Sequence, residues 1–187
     1  MKIQITNNNR SRGRLALVVT AICMFWSLPG VTTAATETEV RSVVQQVFQQ
    51  LQARNYSALY DSLPAATRNR MTRARFISAL SRAQDRYVLD RISIGAVRVS
   101  GNVAVADTEL FGRLAKPFEA AGKIVVQQYL VREDGQWRVA TGDTATIQRF
   151  LKANPAFGRK FPLRAPRIFV KQGNGWTEFS PRQFQKR

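Results

Sequence analysis

Apolar side chains recur at helical spacing up to about residue 83 and then alternate. Val40, Val43, Val44, Val47, Phe48 and Leu51 form one stripe with Gln and Arg opposite, which predicts a first helix. Thr36-x-x-Glu39 reads as the capping box that starts it, and Asn55 ends it. Leu59, Tyr60 and Leu63 predict a short second helix over residues 57–63, stopped by Pro64. Thr72 caps a third over residues 73–83, with Phe76, Ile77, Leu80 and Ala83 turned inward. Residues 87–99 and 103–114 then read as strands joined by a two-residue turn at Gly101-Asn102, and Lys116-Pro117 ends the second. Helices followed by an antiparallel meander predict an α+β domain, the helices packed on one face of a curved antiparallel sheet.

The last two strands of the meander fill residues 122–143 and turn at Asp134-Gly135, the strongest short-range hairpin signal. That turn pairs Glu133 with Gln136, Arg132 with Trp137, Leu130 with Val139 and Gln128 with Thr141. Successive side chains alternate faces. One face therefore carries Ile124, Val126, Gln128 and Leu130 beside Trp137, Val139, Thr141 and Asp143, and it is the core face because it holds Trp137 and more aliphatic bulk. The other carries Val125, Gln127, Tyr129 and Val131 beside Arg138 and Ala140, and it is too apolar for a face bathed in water.

Both ends differ from this middle. Residues 1–14 are polar and basic, residues 15–28 are an apolar run, Pro29-Gly30 breaks it, and Thr33-Ala34-Ala35 are small. That order is a secretory signal peptide, residues 1–35, cleaved near Ala35. The rival is an uncleaved membrane anchor, because residues 15–35 carry no charge and approach the roughly 20 residues a spanning helix needs. A domain over residues 36–143 follows, then an extension over residues 144–187. In the extension, Ile147, Phe150 and Leu151 predict a short helix ended by Asn154-Pro155. Residues 156–167 read as irregular, and residues 168–170 and 176–179 as a short hairpin around Gly173-Asn174-Gly175. Removal of residues 156–187 is expected to leave the domain folded.

The chain of 187 residues carries a net charge of +17. Residues 149–187 hold ten bases against one acid, Glu178, or +9, whereas residues 36–148 hold only +4. There is no histidine, which removes a histidine base, a Ser-His-Asp triad and histidine metal ligation. The only cysteine, Cys23, lies in the apolar run, so a chain cut near Ala35 has no thiolate and no disulfide. No cofactor is implied.

The helix over residues 39–51, then Asn55-Tyr56-Ser57-Ala58-Leu59-Tyr60, then strands closing on Arg132-Glu133-Asp134-Gly135-Gln136-Trp137-Arg138-Val139, resemble the nuclear transport factor 2-like superfamily. The resemblance covers residues 37–143. It implies a cone-shaped, cystatin-like roll shared by SnoaL-like cyclases, ketosteroid isomerases, kinase association domains and many exported proteins. Enzymes of the group use an Asp or His base with Tyr or Asp donors, but no motif here lets a catalytic residue be carried over. Function lives in the site rather than the fold.

Three groups of residues are candidates for chemistry. Asp107 and Glu109 share a strand face, with Ile92, Ile94, Val103, Val105 and Phe111 under an unbroken Gly101-Asn102 register. They read either as an acid/base pair or as a solvated face with Arg98 diagonal to Asp107. Gln128, Thr141 and Asp143 on the core face are candidate pocket groups, and Tyr129 is a candidate pocket donor. Arg159, Lys160, Arg164, Arg167 and Lys171, interleaved with aromatics, suit an anionic membrane surface or an acidic envelope polymer; nucleic acid is not expected of an exported protein.

Val125, Tyr129, Val131 and Ala140 on the outer face predict a homodimer, unless the C-terminal hairpin folds back over them. The resulting expectation is an exported, non-catalytic module that binds a small apolar ligand or a protein. The alternatives are an isomerase, dehydratase or cyclase on a hydrophobic substrate, and a membrane-anchored envelope-assembly subunit. Cleavage is directly measurable: mass spectrometry of the chain from an exporting host should show an N-terminus near Thr36. Retention of residues 15–28 in membrane extracts would establish the anchor instead.

Overall fold

A computed structural model describes residues 30–85, 87–115, 120–140 and 144–179; residues 1–29 of the predicted leader, Thr141 and Asp143 lie outside the described residues. The helices are α1 (Gly30–Gln52), α2 (Tyr56–Asp61), α3 (Ala65–Arg68), α4 (Arg73–Gln84), α5 (Thr144–Ala153) and α6 (Pro155–Lys160). The strands are β1 (Tyr87–Ser100), β2 (Val103–Leu114), β3 (Ala121–Glu133), β4 (Gln136–Val139), β5 (Arg167–Gln172) and β6 (Gly175–Glu178). They form one curved antiparallel sheet in the order β1-β2-β3-β5-β6, with β4 also paired to β3, and the sheet does not close. The fold is α+β, with the N-terminal helices on one sheet face, compatible with a cone-like roll.

The two turns form where the residue types require them. Asp134 and Gly135 take φ of 51° and 77°, the pair of positive values that a two-residue hairpin of this kind needs. They set Glu133 opposite Gln136, Arg132 opposite Trp137 and Leu130 opposite Val139. Gly101 takes φ 58° and sets Ser100 opposite Val103. Thr72 accepts a hydrogen bond from the Arg75 backbone at 3.3 Å and caps α4, and Asn55 does the same for α2 through Ala58.

The start of α1 is different from the expectation. The helix runs from Gly30, so Thr36 lies inside it and does not act as a cap. Thr38 donates its hydroxyl to the Ala34 carbonyl at 3.0 Å, one turn back, and nothing in residues 31–35 breaks a helix. Glu39 is released from the capping role. It accepts from the Trp137 indole at 3.3 Å and lies 3.6 Å from Arg132, tying α1 to the β3–β4 hairpin.

On the inner face, Val40 and Val44 of α1 pack on Val97, Ala104, Ala106, Leu130, Trp137 and Val139. The two alanines let the helix backbone approach β2 closely, and both are fully buried. The face assigned to the core from the hairpin pattern is the one α1 covers. The predicted face for Ile92 and Ile94 is corrected. The β1–β2 register slips by one between Ile94 and Val97, so these isoleucines pack toward α1 and not beside Asp107 and Glu109. Gly95-Ala96 is the bulge, and its extra residue inverts the faces of residues 91–94; a second register shift at Asp90 restores the faces of Val88 and Leu89. Arg41 of α1 holds it by donating to the carbonyls of Ile94 at 3.0 Å and Gly95 at 2.8 Å.

The outer face is covered by the extension. Val103, Val105, Tyr129 and Ala140 lie under Ile147, Phe150, Leu151, Phe157, Phe161 and Leu163. The surface reserved for a second copy is therefore occupied, at Tyr129 and Ala140, by the same chain. The cover is α5, α6 and the segment after them. The terminal hairpin instead continues the sheet, with Gly122 to Val125 of β3 paired to Arg167 to Val170 of β5. Residues 155–160 are helical rather than irregular because Pro155 opens a helix whose Phe157 finds Tyr129, Phe150 and Phe161 rings within 6.4 Å.

Deleting residues 156–187 would uncover this second core, so the domain is not expected to survive it intact. Phe157→Ala alone should cost about 3–5 kcal/mol of stability, as for other buried phenylalanines. Urea unfolding measures it, and a loss under about 1 kcal/mol would make the extension a dispensable cover.

Candidate functional site

A cavity of about 290 Å³ lies between the N-terminal helices and the sheet. Val47 and Leu51 come from α1, Leu59 from α2, Phe76 and Leu80 from α4, and Val139 from β4, with Ser62 and Leu63 between α2 and α3. The four-residue spacing of Val47 and Leu51, and of Phe76 and Leu80, puts each pair on one face of its helix. Ser62 is the one polar side chain of this lining among the described residues, and it is already engaged: its hydroxyl donates to the Leu59 carbonyl at 2.7 Å. The neighbouring polar groups also turn elsewhere. Tyr56 donates to Gln84 Oε1 at 2.5 Å, Gln84 donates to the Leu51 carbonyl at 2.6 Å, and Tyr60 donates to the Met71 carbonyl at 2.8 Å. An apolar space of this size suits a small apolar molecule.

Asp107 and Glu109 face away from this cavity, on the outer side of the sheet. Asp107 pairs with Arg98 at 2.9 Å and accepts from Gln127 at 3.4 Å; Glu109 pairs with Lys123 at 3.2 Å. Each carboxylate has its own cation, and the two do not share a hydrogen bond. Gln128 points to the helix side but does not line the cavity. Tyr129 is on the outer face beneath the extension, where its hydroxyl meets Gln127 Oε1 at 3.0 Å and the Phe161 carbonyl at 3.4 Å. Burial there pushes its phenol up from the ordinary value. Gln127 Oε1 also accepts the Arg164 backbone N–H at 3.2 Å, so this buried network anchors residues 161–164.

A larger open groove of about 910 Å³ runs along α1 to the β3–β4 turn, past Glu39, Gln46, Gln50, Asp61, Trp137 and Arg138. It is more open than the cavity and mixes charged, amide and apolar side chains. Among the described residues no group of three or more His, Cys, Asp or Glu side chains comes together as a metal site. No protein-family model and no curated protein matches the chain.

The five extension cations are not gathered into one patch by the backbone. Arg159 and Lys160 end α6, Arg164 lies in the following segment, and Arg167 and Lys171 share one face of β5. Arg167 is paired to Glu178 through two hydrogen bonds, at 2.9 and 2.7 Å. What the linear pattern missed is a row across five strands. Arg91, Phe111, Lys123, Phe169 and Glu178 are successive register partners on the outer face. The bulge at Gly95-Ala96 puts Arg91 into this row, and no spacing within one strand reveals it.

The hydrogen bonds from Arg167 hold the Glu178 carboxyl below its ordinary value of 4.5. A carboxylate with a lowered folded pKa contributes stability above its unfolded pKa and loses it as pH falls through the folded one. The β5–β6 hairpin should therefore loosen below pH 4.5. Hydrogen exchange at the Phe179 amide, which donates to the Ile168 carbonyl, should speed up there beyond its intrinsic pH dependence. Glu178→Gln should abolish the change.

Proposed function

We propose that this chain is an exported, non-catalytic binding module of the nuclear transport factor 2-like cone fold that holds a small apolar ligand between its helices and sheet. The observation that carries the reading is the cavity bounded by Val47, Leu51, Leu59, Leu63, Phe76, Leu80 and Val139. Its walls offer area for apolar burial, worth about 25 cal/mol per Å². Its one hydroxyl is satisfied within the protein, so specificity would come from shape.

An isomerase or dehydratase would need an acid or base facing the substrate. Asp107 and Glu109 sit on the opposite sheet face, each in an ion pair, which gives that alternative no support. Export rests on the order of residues 1–35, basic then apolar then small. Among the described residues no helix is long and apolar enough to cross a membrane.

The neutral probe N-phenyl-1-naphthylamine should brighten on titration into the protein. Leu80→Trp, which places a larger ring at the cavity wall, should weaken that binding by about tenfold, or 1.4 kcal/mol. A thermal melt confirms that the variant folds. Probe binding unaffected by Leu80→Trp and by Leu59→Phe would refute the cavity as the site.

A further inference from the structure

We propose that the outer face of the sheet, at its β5–β6 end, docks onto an anionic phospholipid bilayer. The proposal rests on the cross-strand row and is independent of the cavity. From Arg91 to Phe169 the side chains of that row alternate between cation and ring, and Glu178 ends it. The Arg91 guanidinium lies 3.4 Å from the Phe111 ring centre. Lys123 sits between the rings of Phe169, Trp176 and Phe111 at 5.2, 5.5 and 5.8 Å. Arg167 lies 4.9 Å from Phe169, and Trp176 meets Phe111 edge-on at 6.1 Å. Rings at these distances attract the cations and fix long, flexible side chains in place. The next row carries Arg113 on β2 and Lys171 on β5, with Lys171 opposite Trp176.

Charge on this face is one-sided after pairing. Glu109, Glu178 and Asp90 are matched by Lys123, Arg167 and Arg113. Arg91 and Lys171 have no carboxylate partner among the described residues. The extension adds to the surplus, with +9 over residues 149–187. An anionic surface is the matching partner.

The choice of a bilayer over another polyanion comes from the apolar side chains. Val88, Ile168 and Trp176 are the exposed large hydrophobics of the described residues, at 51%, 37% and 40%. Val88 is the register partner of Arg113, so it and Trp176 share this face with the cations. Ile168 protrudes from the other side of the β5 strand. Aliphatic and indole groups beside Lys and Arg suit the headgroup boundary, where apolar burial and attraction to anionic lipid add. Single-stranded nucleic acid needs free ring faces for stacking, and Arg91 already covers one face of Phe111.

The full chain should cosediment with vesicles of phosphatidylcholine mixed with phosphatidylglycerol, weaken steeply as salt rises, and bind pure phosphatidylcholine far less. Lys171→Glu and, at the other end of the row, Arg91→Glu should each lower the partition coefficient about tenfold, and Trp176→Ala severalfold. Arg82→Glu makes the same charge change on α4, across the sheet, and should leave it unchanged. Circular dichroism checks the fold of each variant. Equal binding to neutral vesicles would show that the N-terminal apolar run does the work. Losses for Arg82→Glu as large as for Lys171→Glu would reduce the effect to bulk charge. No binding to the mixed vesicles at low salt, or displacement from them by a single-stranded oligonucleotide through the same residues, would likewise overturn the proposal.

Discussion

Tyr129 and Leu130 are neighbours on β3, their side chains point to opposite faces, and both are almost wholly buried, at 1% and 0% exposure. The same holds on β2, where Ala104, Val105 and Ala106 are all at 0%. A strand buried on both faces requires two covers, and the rest of the structure follows from that requirement. α1 supplies one, with alanines beneath it to admit its backbone. The extension supplies the other, with aromatic side chains because it must span the gap from two short helices. Neither α5 nor α6 is long enough to be stable alone, so their order comes from the sheet they cover.

This constraint also explains what was legible in the chain and what was not. Local signals carried far: the Asp134-Gly135 and Gly101-Asn102 turns each pin a register, and β1 and β2 end within a residue of their predicted limits. The inner face was legible because Trp137 and the greater aliphatic bulk, Val139 and Leu130 included, fall on it. The bulge was not, since Gly95-Ala96 interrupts the pattern without a turn residue pair, and one extra residue moves Ile92 and Ile94 to the other face. The role of the extension was half legible. The excess of apolar residues around Tyr129 demanded a cover, but nothing in residues 156–167 distinguishes a covering helix from an irregular basic segment until Phe157 meets its pocket. The start of α1 failed for a simple reason: Thr36 and Glu39 fit a capping box, yet a cap forms only where the preceding residues leave the helix.

The candidate carboxylates show how register decides chemistry. In an unbroken register Asp107 and Glu109 would sit among Ile92 and Ile94, where desolvation would favour a protonated form. After the bulge their β1 neighbours are Arg98, Ser93 and Arg91, and Lys123 stands on the other flank. These ion pairs are partly exposed, so each adds about 0–1 kcal/mol at most. They lie on the outer side of the sheet, and among the described residues no ionisable side chain lines the cavity on the helix side. The structure thereby separates an apolar interior from a charged exterior across the thickness of one sheet.

The charged side is ordered rather than merely solvated. Long basic side chains on a strand normally sample many rotamers, and holding one costs entropy. Here the rings of Phe111, Phe169 and Trp176 restrict Lys123, Arg91 and Arg167 before any partner arrives. Preorganised cations bind with a smaller ordering cost than free ones. The row exists only because β5 and β6 extend the sheet, and β5 and β6 stand beside β3 only because α5 and α6 carry the chain back across the outer face. The part of the chain with the greatest charge is thus the part that completes the fold, and its basic residues take their positions from the core beneath them.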